Sequence, residues 1–101
     1  MSVTADLDTE QKKLTIAIEG RFDFSAHKDF REAYEGLELS PEAYSIDMHE
    51  ANYIDSSALG MLLLLRDHAG GDNAQVEIVN CSPDVKKILT ISNFDQLFTI
   101  H

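Results

Sequence analysis

The sequence predicts an α/β fold: a mixed sheet of about four to five strands with helices packed on it. Three observations carry that expectation. Four runs alternate apolar and polar residues with period two, at about 3–8, 13–19, 44–48 and 75–79. Three segments between and after them, at about 26–36, 57–68 and from 82 onward, repeat apolar residues at helical spacing. The resulting order, β-β-α-β-α-β-α, alternates strands with helices after an opening strand pair, which implies parallel pairing and right-handed crossovers.

Each element has its own signal. Val3, Ala5 and Leu7 oppose Thr4, Asp6 and Asp8, and Leu14, Ile16 and Ile18 oppose Thr15 and Ala17. The polar Thr9-Glu10-Gln11-Lys12 between them predicts an antiparallel hairpin, with Gly20 ending its second strand. Ser25 is the expected N-cap of a helix over 26–36, which Phe30, Ala33, Tyr34 and Leu37 make amphipathic. Gly36 and Ser40-Pro41 stop it. Tyr44 to Met48 reads as a short strand, and Gly70-Gly71-Asp72-Asn73 breaks the helix over 57–68. Gln75 to Val79 alternates again. Ser82-Pro83 opens the third helix, with Ser82 as N-cap and Pro83 at N1, where a missing N–H costs nothing. Its apolar face is Val85, Ile88, Leu89 and Ile91. The tail from Phe94 to Ile100 is too apolar to be free and is expected to pack back as a short turn and edge strand.

Size and charge narrow the function. A chain of 101 residues with 44% hydrophobic content is expected to be one domain, 1–101, with one modest core. Its net charge of -10 disfavours nucleic acid and anionic membrane surfaces and suits basic partners. Cys81 is the single cysteine, so no internal disulfide forms, and a buried thiol is the expectation for it. The N-terminus lacks a basic region followed by an apolar run, and Met61–Leu65 is far short of a bilayer span. The chain reads as cytoplasmic.

Catalytic signatures are missing. No Gly-x-Ser-x-Gly elbow surrounds Ser56 and Ser57, and His27, His49, His68 and His101 are scattered. One cysteine and dispersed histidines make a poor metal set, and Gly70-Gly71 has no downstream Lys-Ser/Thr to form a phosphate loop. The expectation is a non-enzyme without cofactor or metal.

The informative stretch is Asn52-Tyr53-Ile54-Asp55-Ser56-Ser57-Ala58-Leu59-Gly60, leading into Met61-Leu62-Leu63-Leu64-Leu65. Ser, Asp and Asn favour helix N-caps, and the positive end of the helix dipole also favours an anion there. Ser56 and Ser57 therefore read either as caps or as a phosphorylation switch, and the residues alone leave both open. The helix behind them is apolar on nearly every side. In so small a domain some of Met61, Leu64 and Leu65 are expected to reach solvent and contact a partner. A phosphate, carrying about 1.5 to 2 negative charges, would then act on binding more than on folding.

Ile54-Asp55-Ser56-Ser57-Ala58-Leu59-Gly60 resembles the Asp-Ser-Ser/Thr-Gly-Leu-Gly signature of STAS domains, the anti-sigma factor antagonists with a SpoIIAA-like fold. Gly20-Arg21-Phe22-Asp23 resembles their earlier Gly-x-Leu/Phe-Asp segment, and Asn80-Cys81-Ser82-Pro83 with Val85, Ile88 and Leu89 their last strand and helix. The likeness spans about residues 3 to 100 and is greatest to HsbA-type antagonists in gammaproteobacterial biofilm, motility and secretion control. It implies partner switching: the unphosphorylated antagonist binds an anti-sigma factor, a serine kinase phosphorylates it and breaks the complex, and a PP2C-like phosphatase reverses this. Residue by residue, it implies Ser56 as acceptor, with Ser57 as the alternative, and Asp23 and Asp55 flanking it. Phe24, Ser25, His27, Ser57, Ala58, Met61, Leu64 and Leu65 form the implied partner face. Ala58 departs from the family's glycine, which is expected to firm the helix start and alter the fit of the kinase. Two other roles stay open: a STAS subunit of a transporter or lipid-trafficking complex, and a small-ligand-sensing module. The same apolar helix equally suits a homodimer.

Overall fold

A computed structural model of the chain describes residues 2–37 and 39–101. Met1 and Glu38, which fall within the expected 1–101 domain, lie outside the described residues. Strands β1 (Ser2–Asp8) and β2 (Lys13–Phe22) pair antiparallel from Ser2↔Glu19 to Asp8↔Lys13. Asp8 makes the turn: its Oδ1 accepts from Glu10 N at 3.0 Å and Gln11 N at 3.1 Å. β3 (Ala43–Ile54), β4 (Val76–Val79) and β5 (Thr99–Ile100) continue the sheet in the order β1-β2-β3-β4-β5. Every pair after the first is parallel. The mixed sheet expected with about four to five strands is therefore present, with five.

Gly20 does not end β2. It takes φ +86, and the β2–β3 register shifts between Ala17 and Glu19 and again between Gly20 and Arg21. The strand bends through these irregularities and runs on to Phe22. β3 likewise extends well past the expected 44–48, because β2 lies beside it as far as Phe22↔Ile54. Those last paired residues set the site, since Asp23 and Asp55 follow directly.

Helix α1 (His27–Tyr34) is preceded by a 3-10 turn, Phe24–Ala26. Ser25 is not its N-cap. The residue before α1 is Ala26, without a side-chain cap, while Asp23 caps the 3-10 turn by accepting from Ser25 N at 3.0 Å. A carboxylate one residue after the strand reaches these donors first, so the serine becomes a donor. Helix α2 (Ser56–His68) and helix α3 (Pro83–Ile91) complete the set. Ser82 caps α3 as expected, its Oγ accepting from Val85 N at 3.2 Å. Val85 and Leu89 are buried under it, whereas Ile91 is 70% exposed. The tail packs back through a 3-10 turn, Phe94–Gln96, and β5, with the buried Phe94 and Phe98 rings stacked at 5.5 Å.

The core follows the pleat. Leu14, Ile16 and Ile18 of β2, Tyr44, Ile46 and Met48 of β3, and Val76 and Ile78 of β4 are buried. Phe30 of α1, Leu62 and Leu65 of α2 and Leu89 of α3 join them in one cluster. Each such side chain stabilises the fold by about 1.5–3 kcal/mol. No helix among the described residues is long and apolar enough to cross a membrane.

Candidate functional site: two Asp-x-Ser turns beside an apolar helix face

Parallel pairing of β2 and β3 brings two similar turns together at their C-terminal ends. In Asp23-Phe24-Ser25, the Asp23 carboxylate accepts from Ser25 N and Ser25 Oγ. In Asp55-Ser56-Ser57, the Asp55 carboxylate accepts from Ser57 Oγ at 2.6 Å and from Ala58 N at 3.1 Å. Asp55 is thus the N-cap of α2. Neither Ser56 nor Ser57 caps the helix, which corrects the capping alternative: both serines lie inside the helix, and the carboxylate before them takes the orphan N–H. In each turn the middle residue points outward. Phe24 is 69% exposed, and Ser56 is exposed at N1 with no hydrogen bond to its hydroxyl among the described residues.

The two hydroxyls are therefore different. Ser57 is half-buried and commits its proton to Asp55. Ser56 is free to accept a group. Both carboxylates are held ionised. The Ser57 hydroxyl, then Ala58 N, lowers the Asp55 carboxyl below its ordinary value, against a small upward push from the nearby Asp23 charge. The Ser25 hydroxyl, then Ser25 N, lowers Asp23 in the same way, with a smaller contribution from Arg21. Arg21 stands 3.5 Å from Asp23 and stacks its guanidinium 3.9 Å above the Tyr53 ring, its partner in register.

Along α2, Ser56 shares one solvent-facing stripe with Gly60, Leu63, Leu64 and Asp67, at helical offsets of 4, 7, 8 and 11 residues. Leu63 is 41% and Leu64 55% exposed. The expectation that the helix shows apolar side chains to solvent holds at Leu64. It fails at Met61 and Leu65, which are 4% and 0% exposed because they point at the sheet and α1. Ala58 is 0% exposed as well, so its methyl group lies in the core and does not reach an approaching kinase. Of the other implied contact residues, Phe24 and Ser25 are exposed, and His27 is half-buried with its ring stacked on Phe24 at 5.3 Å. Between α1 and α2 runs a groove of about 270 Å³ lined by His27, Phe30, Tyr34, Met61, Leu64 and His68.

Leu63, Tyr53 and Arg21 belong to this surface but were not among the implied contacts. Counting from Ser56 at 3.6 residues per turn would have found Leu63. Arg21 and Tyr53 meet only through strand register, which the sequence does not display.

Gly60 sits in the middle of the stripe. A helical glycine on an open face lowers stability by about 1 kcal/mol relative to alanine. A Cβ built there meets nothing within 4 Å.

The histidines do not assemble with the serines. His49 lies beside Glu50 at 3.5 Å, His68 beneath Tyr34 at 5.0 Å and His101 beside Glu77 at 3.5 Å. No group of three or more His, Cys, Asp or Glu that could hold a metal occurs among the described residues. A larger cavity, about 590 Å³, opens at the opposite end of the parallel strands, between Lys13, Tyr44, Glu77 and Phe98, and takes no part in the serine site.

A family model described as "Mlab, STAS domain" matches residues 5–99. A STAS-domain containing protein of Pseudomonas aeruginosa (strain UCBPP-PA14) is 61% identical over 100 residues, 99% of each chain. Solved structures share the fold at low identity. An anti-sigma factor antagonist from Mycobacterium paratuberculosis aligns with TM-score 0.77 and 16% identity, over 99% of this chain and 86% of its own. The unphosphorylated anti-sigma factor antagonist SpoIIAA aligns with TM-score 0.76 and 16% identity, over 99% and 87%. A sulfate transporter family protein from Wolinella succinogenes aligns with TM-score 0.74 and 15% identity, over 84% and 70%. With the family model spanning nearly the whole chain and the relative so similar, this chain belongs to the STAS domain family.

Proposed function

We propose that this STAS domain is an anti-sigma factor antagonist controlled by phosphorylation of Ser56. One observation carries the reading: the unbonded Ser56 hydroxyl begins the same exposed stripe of α2 that presents Leu63 and Leu64. In the unmodified state that stripe, with Phe24 beside it, offers an apolar contact for the anti-sigma factor. A serine kinase adds a phosphate at Ser56, and a PP2C-like phosphatase removes it. The phosphate brings about two negative charges next to two carboxylates already held ionised. The α2 dipole tolerates this charge in the free protein. A docked partner would have to bury it, which costs several kcal/mol. The switch thus acts on the complex and leaves the fold intact.

The test is binding of a purified anti-sigma factor to two variants. Ser56→Ala is expected to bind like the wild type and Ser56→Asp to lose binding; equal binding of both refutes the switch. On the resemblance to HsbA-type antagonists we assign the pathway to biofilm and motility control, which a deletion strain with unchanged swimming and attachment would contradict. The second reading, a subunit of a transporter or lipid-trafficking complex, draws on the same exposed leucines, and it requires capture of a membrane complex that Ser56→Asp does not disturb.

A further inference from the structure

Gly60 has no structural reason to be glycine. Its backbone is helical rather than left-handed, and its missing Cβ leaves open space. Alanine would fit and would favour the helix. The fold therefore gains nothing from glycine at the centre of an exposed stripe that carries Leu63 and Leu64. What a bare Cα does provide is close approach for another main chain.

We infer that the anti-sigma factor lays a main-chain segment directly across α2 at Gly60, bracketed by Ser56 on one side and Leu64 on the other. The inference rests on the reading of Ser56 as a phosphorylation-gated contact and identifies Gly60 as the residue that sets how closely the partner sits. Leu63 and Leu64, 41% and 55% exposed, supply the apolar side of the crossing. Asp67 lies at the far end of the stripe, and Asp55 and Asp23 stand ionised at the near end. Asp55 and Asp23 are already engaged by Ser57 and Ser25, so with a net charge of -10 behind it Asp67 is the acid that selects a basic side chain, on the far side of the crossing and away from Ser56. A phosphate on Ser56 stands one helical turn, about 5.4 Å, from Gly60. A contact tight enough to use a bare Cα leaves no room for it, so steric exclusion adds to charge in releasing the partner.

The experiment compares wild type, Gly60→Ala, Gly60→Leu and Ser56→Asp in the full chain, measuring Tm and the Kd for the purified anti-sigma factors encoded in the same genome. Gly60→Ala is expected to raise Tm by about 4–8 °C. It is expected to weaken binding by about tenfold or more, because a methyl group overpacks the contact, and Gly60→Leu to weaken it further. A gain in stability with a loss of binding cannot come from damage to the fold. If wild type binds and Ser56→Asp releases the partner, yet Gly60→Ala binds within twofold of wild type, the crossing is overturned and the switch survives. If wild type binds none of these proteins, the switch reading fails and the crossing with it. A Gly60→Ala variant that instead dissociates a homodimer, or only slows phosphorylation, also overturns it.

Discussion

Leu64 and Leu65 are neighbours in sequence and opposites in the fold, and substituting each by alanine separates binding from stability. Leu64 is 55% exposed and Leu65 is 0%. Fully burying a leucine is worth about 1.5–3 kcal/mol, so a partner covering the exposed part of Leu64 gains about half of that. Alanine at 64 removes this gain and leaves a gap in the contact, a loss of about 1–2 kcal/mol, or about five- to thirtyfold in Kd. Its effect on folding is small, under about 1 kcal/mol, because little buried surface is lost. Leu65→Ala instead opens a cavity among Ile46, Leu62 and the rest of the core cluster. That costs about 2–5 kcal/mol and lowers Tm by about 10 °C or more. Calorimetric unfolding and titration with the proposed anti-sigma factor partner measure both quantities. A Leu64→Ala variant that binds unchanged, with Tm reduced as far as in Leu65→Ala, refutes the assignment of α2's outer face as the contact.

Three further outcomes are expected. Ser57→Ala removes the hydrogen bond that contributes most to lowering the Asp55 carboxyl, so the Asp55 titration followed by NMR moves up toward its ordinary 3.8, while Ser57→Ala is still phosphorylated and Ser56→Ala is not, by mass spectrometry. Asp23, Asp55 and Glu77 are all held below their ordinary values, Glu77 chiefly by Lys13 at 2.9 Å. Groups shifted down stabilise the fold above the ordinary carboxylate range and lose that contribution as pH falls through their folded values, so Tm should be level between pH 7 and 5, fall below about pH 4, and fall less steeply in Lys13→Met. Burial raises the Cys81 thiol above its ordinary 9.0, so alkylation at pH 8 should be slower than for an exposed thiol and should speed up on unfolding.

Most of the architecture was legible because local chemistry and tertiary demand agree. Alternation in Leu14–Ile18 and Val76–Val79, and the Ser82-Pro83 start of α3, point the same way as the packing. The differences arise where long-range pairing decides. Gly20 resembles a strand end but becomes a bend, because β3 is there to pair with it. His49, Glu50, Asn52 and Tyr53 fall beyond the strand expected at 44–48, yet they belong to β3 because β2 runs alongside. At the site, the motif locates Asp23, Asp55 and Ser56 but cannot say which of three oxygen-bearing residues caps α2. That depended on Asp55 being extended while both serines were already helical. The exposed leucine was equally hidden: in a run from Met61 to Leu65 every residue is apolar, and only the angle of α2 on the sheet puts Leu64 outside and Leu65 inside.

The most direct test is calorimetric titration of the proposed partner, a purified anti-sigma factor, with two forms of this chain, unmodified and stoichiometrically phosphorylated on Ser56. The expected result is binding by the unmodified form and a Kd weaker by about a hundredfold or more for the phosphorylated form, with the two unfolding at similar temperatures, since several kcal/mol of uncompensated charge burial falls on the complex alone. Equal Kd values for the two forms would contradict the switch.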